Sequence, residues 1–527
     1  MHKTFYIECS LPLWVDVAQR ARDRYGIEPV YWTGAPNMAA AVDTVFPNCS
    51  FQDNYDAVRC QVLSEYRDLV PPPLDQALLE RMAIHERTVL KMMDRMDWGN
   101  AFPYGARVEH YHAYLRYWLS VLEAARPDLV VMPVSPHLMY DYVLYALCHD
   151  RGIEVLLFRE TNMPALLVPM ASFREGSSGL REAYRAQQAT GDDGSVISDG
   201  AEAHLAALRG DYAAAEPSYM KKQKQIRKDL ERRRNLFRLV YVWRYPMYIR
   251  AVKKRIVRPA GRNYMLEAGQ SPEAAGLSKR RYTRYRRQAA AYKAMLETSY
   301  QAHVSPNVDL ETPFVFFALH YQPERTTCPD AGSYAYQYLI AELIVRNLPD
   351  GWSLLVKEHP SQFMPHMSGE LGRDVGMYER LAALPNTHLV GCNVSSFELA
   401  DRAQAVATST GTAGWEAVVR GTPVLCFGYP WYMDCDGVHR IDSSDDCRRA
   451  LESIAAGSLP DPAKVRAYVA AVEEVGVRGF VDPVRADESG MSDAENAASL
   501  AEAIGRAVAD KPEWGMPQRE VEVDPKQ

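Results

Sequence analysis

Residues 404–428, QAVATSTGTAGWEAVVRGTPVLCFG, form one strand–helix–strand unit in sequence. The apolar run QAVATST is typical of a buried strand, AGWEAVVRG has helical spacing, and TPVLCFG is a second apolar run. The connections between the three parts are short, as they are in parallel sheets that carry helices on both faces. This stretch therefore predicts a doubly wound α/β domain.

The same alternation of apolar runs and helices extends to both sides of this unit. In the second half, the runs predicted as strands are 313–319, 352–356 and 387–391. In the first half they are 4–7, 28–34, 127–135 and 153–160, with a helical, aromatic-rich excursion at 70–125. We therefore expect two Rossmann-like domains that face each other across a cleft, with helical excursions.

The length of 527 residues favours two or three domains, because one hydrophobic core rarely exceeds about 250–300 residues. We predict an N-terminal Rossmann-like domain at 1–215 and a second one at 301–475. Three further segments are predicted: a basic helical segment at 216–300, a C-terminal helix that packs back at 476–511, and a disordered tail at 512–527.

Composition indicates a soluble globular protein, with 47% hydrophobic and 24% charged residues. The nine cysteines are scattered without a C-x-x-C pair, which fits a reducing cytoplasm. The N-terminal stretch lacks the pattern of a signal peptide, and no apolar run reaches the ~18 residues of a membrane span. We expect a cytoplasmic location.

A basic segment stands out against the net charge of −7. Residues 221–287 hold 22 Lys and Arg but only 4 Asp and Glu. Aromatic residues such as Trp243 and Tyr245 are interleaved, as in helices that lie on anionic membrane surfaces. The alternatives are a solvated helical face and nucleic-acid binding; since no nucleic-acid module is recognisable, we expect no nucleic-acid partner.

Polar side chains follow the predicted strands, where ligands bind in open α/β sheets. After 314–319 come His320, Gln322, Glu324 and Arg325, a cluster suited to proton transfer or to orienting a polar substrate. A solvated loop is the alternative interpretation.

The next strand ends in Lys357, Glu358, His359 and Pro360. Proline suits the first turn of a helix, so His359 and Lys357 are expected beside a helix N-terminus that attracts an anion such as phosphate. The alternative is a helix start with an incidental histidine.

The run after 404–408 offers a phosphate cradle without Walker A spacing. Its hydroxyl donors are Ser409, Thr410 and Thr412, and Gly411 allows close approach of the backbone. Glu416, one helical turn later, is a candidate acceptor for ribose hydroxyls. An ordinary capped helix is the alternative.

In the first half, Asp141 and Glu160 follow predicted strands as candidate catalytic carboxylates, or as helix caps and salt-bridge partners. Asp434 and Asp436 form a D-x-D pair that could bind a metal–nucleotide complex or lie in a solvated loop. The absence of G-x-G-x-x-G argues against NAD, and we expect neither a cofactor nor a metal.

Four motifs together resemble the capsule polysaccharide biosynthesis proteins, a family that includes transferases of 3-deoxy-manno-octulosonate (Kdo) from CMP-Kdo. The motifs are ALHYQPERTTCPDAG, LLVKEHPSQF, LPNTHLVG and ATSTGTAGWEAVVRGTPVLCFGYPWY, all within 312–440. The resemblance implies a GT-B fold, a metal-independent glycosyl transfer and an acceptor site in the N-terminal domain. It also implies that His359 and Pro360 contact the CMP moiety, that Ser409 and its neighbours hold the phosphate, and that Glu416 lies near the ribose.

By the same resemblance, Gln322 and Glu324 line the sugar site. The partners expected are a nucleotide-sugar donor, CMP-linked by preference, a glycan or lipid-linked acceptor, and the inner face of the cytoplasmic membrane through 221–287. A UDP-sugar or CDP-alcohol donor, or a non-catalytic assembly factor, are the alternatives.

Overall fold

The computed structural model describes residues 1–97, 102–163, 165–189, 195–210, 279–364, 367–482 and 490–509. The chain divides into two compact units. The N-terminal unit comprises Met1–Val89, Val108–Ser195 and Ala467–Gln527, and the C-terminal unit comprises Leu90–Arg107 and Val196–Arg466. Both units are discontinuous in sequence, whereas each predicted domain was one continuous segment.

The strands form two sheets. In the N-terminal unit they are β1 (His2–Tyr6), β2 (Ile27–Gly34), β3 (Ser50–Asp53), β4 (Leu129–Met132), β5 (Glu154–Glu160) and β6 (Leu166–Met170), joined by the late strand β13 (Val477–Arg478). In the C-terminal unit they are β7 (Phe314–Ala318), β8 (Ser353–Lys357), β9 (Thr387–Val390), β10 (Ala405–Thr408), β11 (Val424–Cys426) and β12 (Val438–Arg440).

Sixteen α-helices lie in the described residues. The first eight are α1 (Leu13–Tyr25), α2 (Ala39–Val45), α3 (Asn54–Val58), α4 (Gln76–Met96), α5 (Tyr104–Ala125), α6 (Tyr140–Arg151), α7 (Ser178–Ala189) and α8 (Asp199–Arg209). The others are α9 (Lys279–His303), α10 (Tyr338–Val345), α11 (Met377–Ala382), α12 (Ser396–Arg402), α13 (Thr412–Val419), α14 (Ser444–Ala455), α15 (Pro462–Val475) and α16 (Asp493–Ala509).

The N-terminal sheet has the order β13-β6-β5-β4-β1-β2-β3. Strands β1 to β5 are parallel, and β6 runs antiparallel to both β5 and β13. Helix α16 packs on α1, where Gly505 lies so close to the ring of Tyr25 that a Cβ would be 2.6 Å from it. A buried cluster on this side includes Trp14, Trp32 and Leu500.

The C-terminal sheet has six strands in the order β12-β11-β10-β7-β8-β9, all parallel. Numbered from β7, this is the 3-2-1-4-5-6 order of a doubly wound sheet, in which the chain reverses its direction of growth between β7 and β10. Ligands bind in such sheets at the carboxyl ends of the two strands that flank this switch point.

The predicted fold class is therefore confirmed: both sheets are of the Rossmann type, as in a two-domain GT-B protein. The predicted cleft between the domains stays a prediction. The apolar runs became strands because they are buried on both faces; in β7, Phe314, Val315, Phe316 and Phe317 are all shielded from solvent.

Most of the predicted basic segment, and the predicted tail, lie outside the described residues. Its described part is the start of α9, where Arg284, Arg286 and Arg287 are exposed. Among the helices that the structure describes, none combines the length and the apolar character that crossing a membrane requires.

Candidate functional site

His320 connects the two strands at the switch point of the C-terminal sheet. It lies two residues beyond the end of β7, and its ring contacts the end of β10. Nε2 is 3.3 Å from the backbone nitrogen of Thr410 and 3.3 Å from Oγ1 of Thr408, while Nδ1 is 3.3 Å from Oγ of Ser409. The structure therefore brings together the predicted residues of these two strand tips, which are 90 positions apart in sequence.

The contacts of His320 determine its protonation. Burial lowers its pKa to about 3, with help from the charges of His359 and Arg373. The ring is therefore neutral near pH 7, and Nε2 must accept the hydrogen bond that the N–H of Thr410 donates. The ring proton consequently sits on Nδ1, on the side of the Ser409 hydroxyl.

Glycine at 411 is required by the closeness of this ring. A Cβ there would stand 2.7 Å from Nε2 of His320 and 3.1 Å from Oγ1 of Thr408. The N–H of Gly411 donates to Oγ1 of Thr408 at 3.0 Å, and its carbonyl accepts a hydrogen bond from the Tyr432 hydroxyl. The turn after β10 is thus held from both sides.

Helix α13 starts directly after this turn. Its N-cap is Gly411, which has no side chain with which to cap the helix. The N–H groups of Thr412 and Ala413 have no partner within the helix and lie at the end of the helix dipole that favours an anion.

The predicted hydroxyl donors Ser409 and Thr410 are placed differently. Ser409 is shielded from solvent. The Thr410 hydroxyl donates to the carbonyl of Thr326 at 2.7 Å, which ties the loop after β7 to the end of β10. The arrangement therefore offers backbone N–H groups in place of these two hydroxyls.

At the end of β8, His359 also has a defined tautomer. Its Nδ1 accepts a hydrogen bond from the N–H of Ser361 at 3.2 Å, so the proton of the neutral ring is on Nε2. Burial lowers the pKa of His359 to about 4. His359 is half-buried, and among the described residues no atom accepts a hydrogen bond from its Nε2, which leaves Nε2–H as an available donor.

The helix start expected at Pro360 is a single 3₁₀ turn, Pro360–Phe363, with Pro360 in its first position. A turn of four residues has almost no dipole, and His359 itself occupies the N–H of Ser361. The anion-attracting helix N-terminus expected at this strand is therefore absent from the described residues 360–363.

The Lys357 side chain contacts the loop between β9 and α12 and the start of α12. Its Nζ donates to the carbonyl of Val394 and to Oγ of Ser396, each at 2.6 Å. It thereby fixes the loop between β9 and α12. With both histidines neutral, the donors at this site act as hydrogen-bonding dipoles.

A buried ion pair that the sequence did not indicate supports these strand tips. The Arg373 guanidinium donates to the Glu358 carboxylate at 2.9 Å and to the carbonyl of His320 at 2.6 Å. It also donates to the side-chain oxygen of Gln322. The Tyr378 hydroxyl donates to Glu358 at 2.7 Å. No motif signals Arg373, because its partners come from the ends of two other strands.

In the Q-P-E motif at residues 322–324, the first residue is buried and the last is exposed. Gln322 is buried, and its backbone N–H donates to the side chain of Gln362 at 3.0 Å. Glu324 is exposed and accepts a hydrogen bond from the Thr326 hydroxyl at 2.7 Å. Arg325 is half-buried. Of the predicted sugar-side residues, Glu324 and Arg325 are therefore the accessible ones.

Glu416 lies in the second turn of α13. Burial raises its pKa to about 7, against a hydrogen bond with Thr412 and the positive charge of Arg420, both of which lower it. Near neutral pH this carboxyl group is therefore divided between its protonated and ionised forms, and it can donate or accept a hydrogen bond.

The carboxylates proposed for the first half lie in the N-terminal unit. Asp141 is buried and accepts hydrogen bonds from the N–H groups of His137, Leu138 and Tyr142 at 2.6–2.8 Å, as a capping residue does. Glu160 ends β5 and is half-buried.

The D-x-D pair is engaged within the protein. Asp436 accepts the N–H of Asp461 at 2.7 Å and lies 3.5 Å from Nζ of Lys464. In the described ranges, no group of three or more His, Cys, Asp or Glu side chains is placed to hold a metal ion.

Part of the chain is similar to a known protein family. The model of the family described as capsule polysaccharide biosynthesis protein matches residues 325–458, which include the ends of β8 and β10. The resemblance of the sequence motifs to the capsule polysaccharide biosynthesis proteins is thereby confirmed for residues 325–458. No curated protein matches the chain in a sequence comparison.

Several solved structures are similar to the chain at low identity. KpsC of Thermosulfurimonas dismutans, a beta Kdo 2,7 transferase, is 13% identical, with 80% of this chain and 96% of that chain covered and a TM-score of 0.27. UDP-GlcNAc 2-epimerase of Neisseria meningitidis is 11% identical, with 95% and 98% covered and a TM-score of 0.21. Anabaena Alr3699/HepE in complex with UDP-glucose is 10% identical, with 97% and 100% covered and a TM-score of 0.24.

Proposed function

We propose that the chain is a glycosyltransferase of capsule or surface polysaccharide synthesis. It transfers a Kdo-type sugar from a CMP-linked donor to a glycan or lipid-linked acceptor. The observation that carries the proposal is that the ends of β7 and β10 meet at the switch point, next to the end of β8. The hydrogen-bond donors at the ends of β8 and β10 lie within residues 325–458, which match the capsule family. A doubly wound sheet binds nucleotides at this location.

The phosphate of the donor is the group that these donors suit. Nε2–H of His359 and the N–H groups of Thr412 and Ala413 would hold its oxygens, and the dipole of α13 would favour the negative charge. During transfer, the bond between the anomeric carbon and the phosphate oxygen breaks, and the nucleotide leaves with the electron pair. Donors fixed in advance stabilise this developing charge without reorganising, which is usually a large catalytic contribution.

The remaining residues provide contacts to the nucleoside and the sugar. Glu416 would bind the ribose hydroxyls, and Pro360 would line the nucleotide beside His359. Arg325 would pair with the carboxylate of a Kdo-type sugar, since a guanidinium matches a carboxylate geometrically. Glu324 would line the sugar as a candidate catalytic residue, and His320 and Gln322 would contribute to the same substrate site.

A panel of donors tests the proposal. Thermal unfolding is measured with CMP-Kdo, CMP, UDP-glucose and CDP-glycerol; a ligand at 100 times its dissociation constant adds about 2.7 kcal/mol of stability. We expect stabilisation by CMP and CMP-Kdo, and release of CMP from CMP-Kdo at the same rate with and without EDTA. If only UDP-glucose or only CDP-glycerol stabilises the protein, the donor is a UDP-sugar or a CDP-alcohol and not a CMP-sugar. If none of the four compounds stabilises it, the protein is a non-catalytic assembly factor.

We further propose that residues 221–287 bind the anionic inner face of the cytoplasmic membrane. Support comes from their 22 basic residues and from the exposed Arg284, Arg286 and Arg287 on α9. Each basic residue near such a surface contributes about 1 kcal/mol. We expect the protein to float with phosphatidylglycerol vesicles but not with phosphatidylcholine vesicles, and we expect salt to reverse the binding. Equal flotation with both kinds of vesicle would contradict the proposal.

A further inference from the structure

Two buried glutamine side chains pair with the backbone that follows β7. Oε1 of Gln337 accepts the N–H of His320 at 2.8 Å, and its Nε2 donates to the carbonyl of His320 at 3.1 Å. Gln362 makes the same pair of hydrogen bonds with the N–H and the carbonyl of Gln322, each 3.0 Å long. Each side-chain amide therefore pairs with the backbone as a neighbouring strand would.

The Gln362 side chain uses every polar group that it has. Its Nε2 donates a second hydrogen bond, to the carbonyl of Gly369 at 2.7 Å, and the residue is completely buried. A Cβ at Gly369 would overlap the backbone carbonyl of Gln362, so glycine is what allows this close approach. Because a buried amide without partners is costly, Gln362 holds the turn that carries it firmly against Gln322.

Gln362 also lies in the 3₁₀ turn that follows His359. The N–H of Gln362 donates to the carbonyl of His359 at 2.9 Å, and the N–H of Ser361 donates to Nδ1 of the His359 ring at 3.2 Å. The second bond fixes the tautomer of the neutral ring, with the proton on Nε2. The place and the tautomer of the His359 ring therefore depend on a turn that Gln362 attaches to the residues after β7.

Gln337 provides a comparison within the same sheet. It is as buried as Gln362 and pairs in the same way, but the residue that it pairs with is His320, whose ring contacts the end of β10. Among the described residues, its side-chain hydrogen bonds do not reach the turn 360–363. Loss of Gln337 therefore removes an equivalent pairing without touching the turn that orients His359.

We propose that Gln362 is a positioning residue for His359, which it holds in the place and tautomer from which Nε2–H binds the phosphate of the donor. The effect on the phosphate rests on the proposed function, whereas the hold on the ring does not. Gln362 itself contacts no ligand, since all of its side-chain polar groups are taken within the protein.

Calorimetry on the full-length protein with CMP and with cytidine tests the effect on the phosphate. Gln362→Met should raise the dissociation constant for CMP roughly 10-fold, as loss of a hydrogen bond to a charged group does, and leave that for cytidine unchanged. In the His359→Asn background, Gln362→Met should have no further effect, because both changes remove the same contact. Gln337→Met is the matched control, and any factor that it causes should multiply with that of His359→Asn.

Histidine NMR provides a readout that needs no ligand. In protein labelled with ¹⁵N-histidine, the ring nitrogens distinguish the two tautomers, and the His359 signals are those missing in His359→Asn. At pH 7, the wild type and Gln337→Met should show the Nε2–H tautomer alone at His359, whereas Gln362→Met should show both tautomers in exchange. The other histidine signals show whether a variant is folded. Gln362→Glu, which keeps the acceptor oxygen, replaces Gln362→Met if that variant unfolds.

The results that would overturn this proposal differ from those that would overturn the proposed function. A folded Gln362 variant with the wild-type tautomer at His359, or with a CMP effect that multiplies with that of His359→Asn, would leave Gln362 a structural residue only. Equal weakening of CMP and cytidine binding would do the same. A wild-type protein that binds no CMP would defeat the proposed function, and the tautomer at His359 would then decide the role of Gln362.

Discussion

The Arg373 guanidinium lies 2.9 Å from the carboxylate of Glu358, and the structure leaves neither side chain exposed to solvent. The same guanidinium holds the carbonyl of His320. The pair therefore connects the end of β8, where His359 follows Glu358, to the end of β7. The geometry of the candidate site depends on a residue that contacts no proposed ligand.

Removal of Arg373 should destabilise the protein strongly. In Arg373→Met the Glu358 charge stays buried without its partner, and such losses cost about 3–5 kcal/mol. The free energy of unfolding, from urea titration of the purified protein, measures the effect. Arg380→Met is the control, because Arg380 pairs with Asp374 at the surface, where ion pairs contribute about 0–1 kcal/mol.

A second substitution checks the cause of this loss. Adding Glu358→Leu to Arg373→Met removes the uncompensated charge, so the double variant should be more stable than Arg373→Met alone. The ion pair does not support the strand tips if the double variant and Arg373→Met are equally stable. The same conclusion follows if Arg373→Met loses no more unfolding free energy than Arg380→Met.

His359→Asn should weaken donor binding and leave folding intact. The asparagine side-chain oxygen can still accept the N–H of Ser361, but the Nε2–H donor is lost. A hydrogen bond to a charged group is worth about 1.5–3 kcal/mol, so the dissociation constant for CMP should rise roughly 10- to 150-fold by calorimetry. His388→Asn, on the exposed side of β9, is the control. Unchanged affinity in His359→Asn would remove this histidine from the phosphate site.

Gly411→Ala should disturb the end of β10. The added Cβ would meet Nε2 of His320 at 2.7 Å, and insertion of a methyl group into a packed site costs about 1–3 kcal/mol. Melting temperature and CMP affinity should both fall. Gly105→Ala, in α5 with no atom within 4 Å of its added Cβ, should be neutral or slightly stabilising. The prediction fails if the two alanine variants behave alike.

Glu416 should make stability depend on pH. Its pKa rises from 4.5 in the unfolded chain to about 7 in the folded protein, so the folded state binds this proton more tightly. The resulting stability is fully present below pH 4.5 and is lost as the pH rises through 7.

Comparison of wild type with Glu416→Gln isolates this contribution. Relative to the variant, the wild type should lose roughly 2–3 kcal/mol of unfolding free energy between pH 5 and pH 8, measured in urea at both values. Glu398→Gln, on the exposed face of α12, should show no such difference. A difference between wild type and Glu416→Gln that is the same at both pH values would mean that the Glu416 pKa is ordinary.

The sequence by itself determined the two α/β sheets and the strand ends at which to look for a ligand. Apolar runs such as 314–319, and helix ends such as Gly26 and Gly152 with φ of 67°, are decided by residues close in sequence. The motif between 404 and 428 likewise predicted a glycine turn before a helix, and Gly411 and α13 are found there.

Only the tertiary structure decided which of the predicted side chains are engaged within the protein. Ser409, Thr410 and Lys357 are engaged inside the protein, whereas His359 keeps a free donor. Arg373 has no local sequence signal. The physical reason is that strand order brings together groups far apart in the chain, as with His320 and Thr410, and periodicity carries no information about strand order.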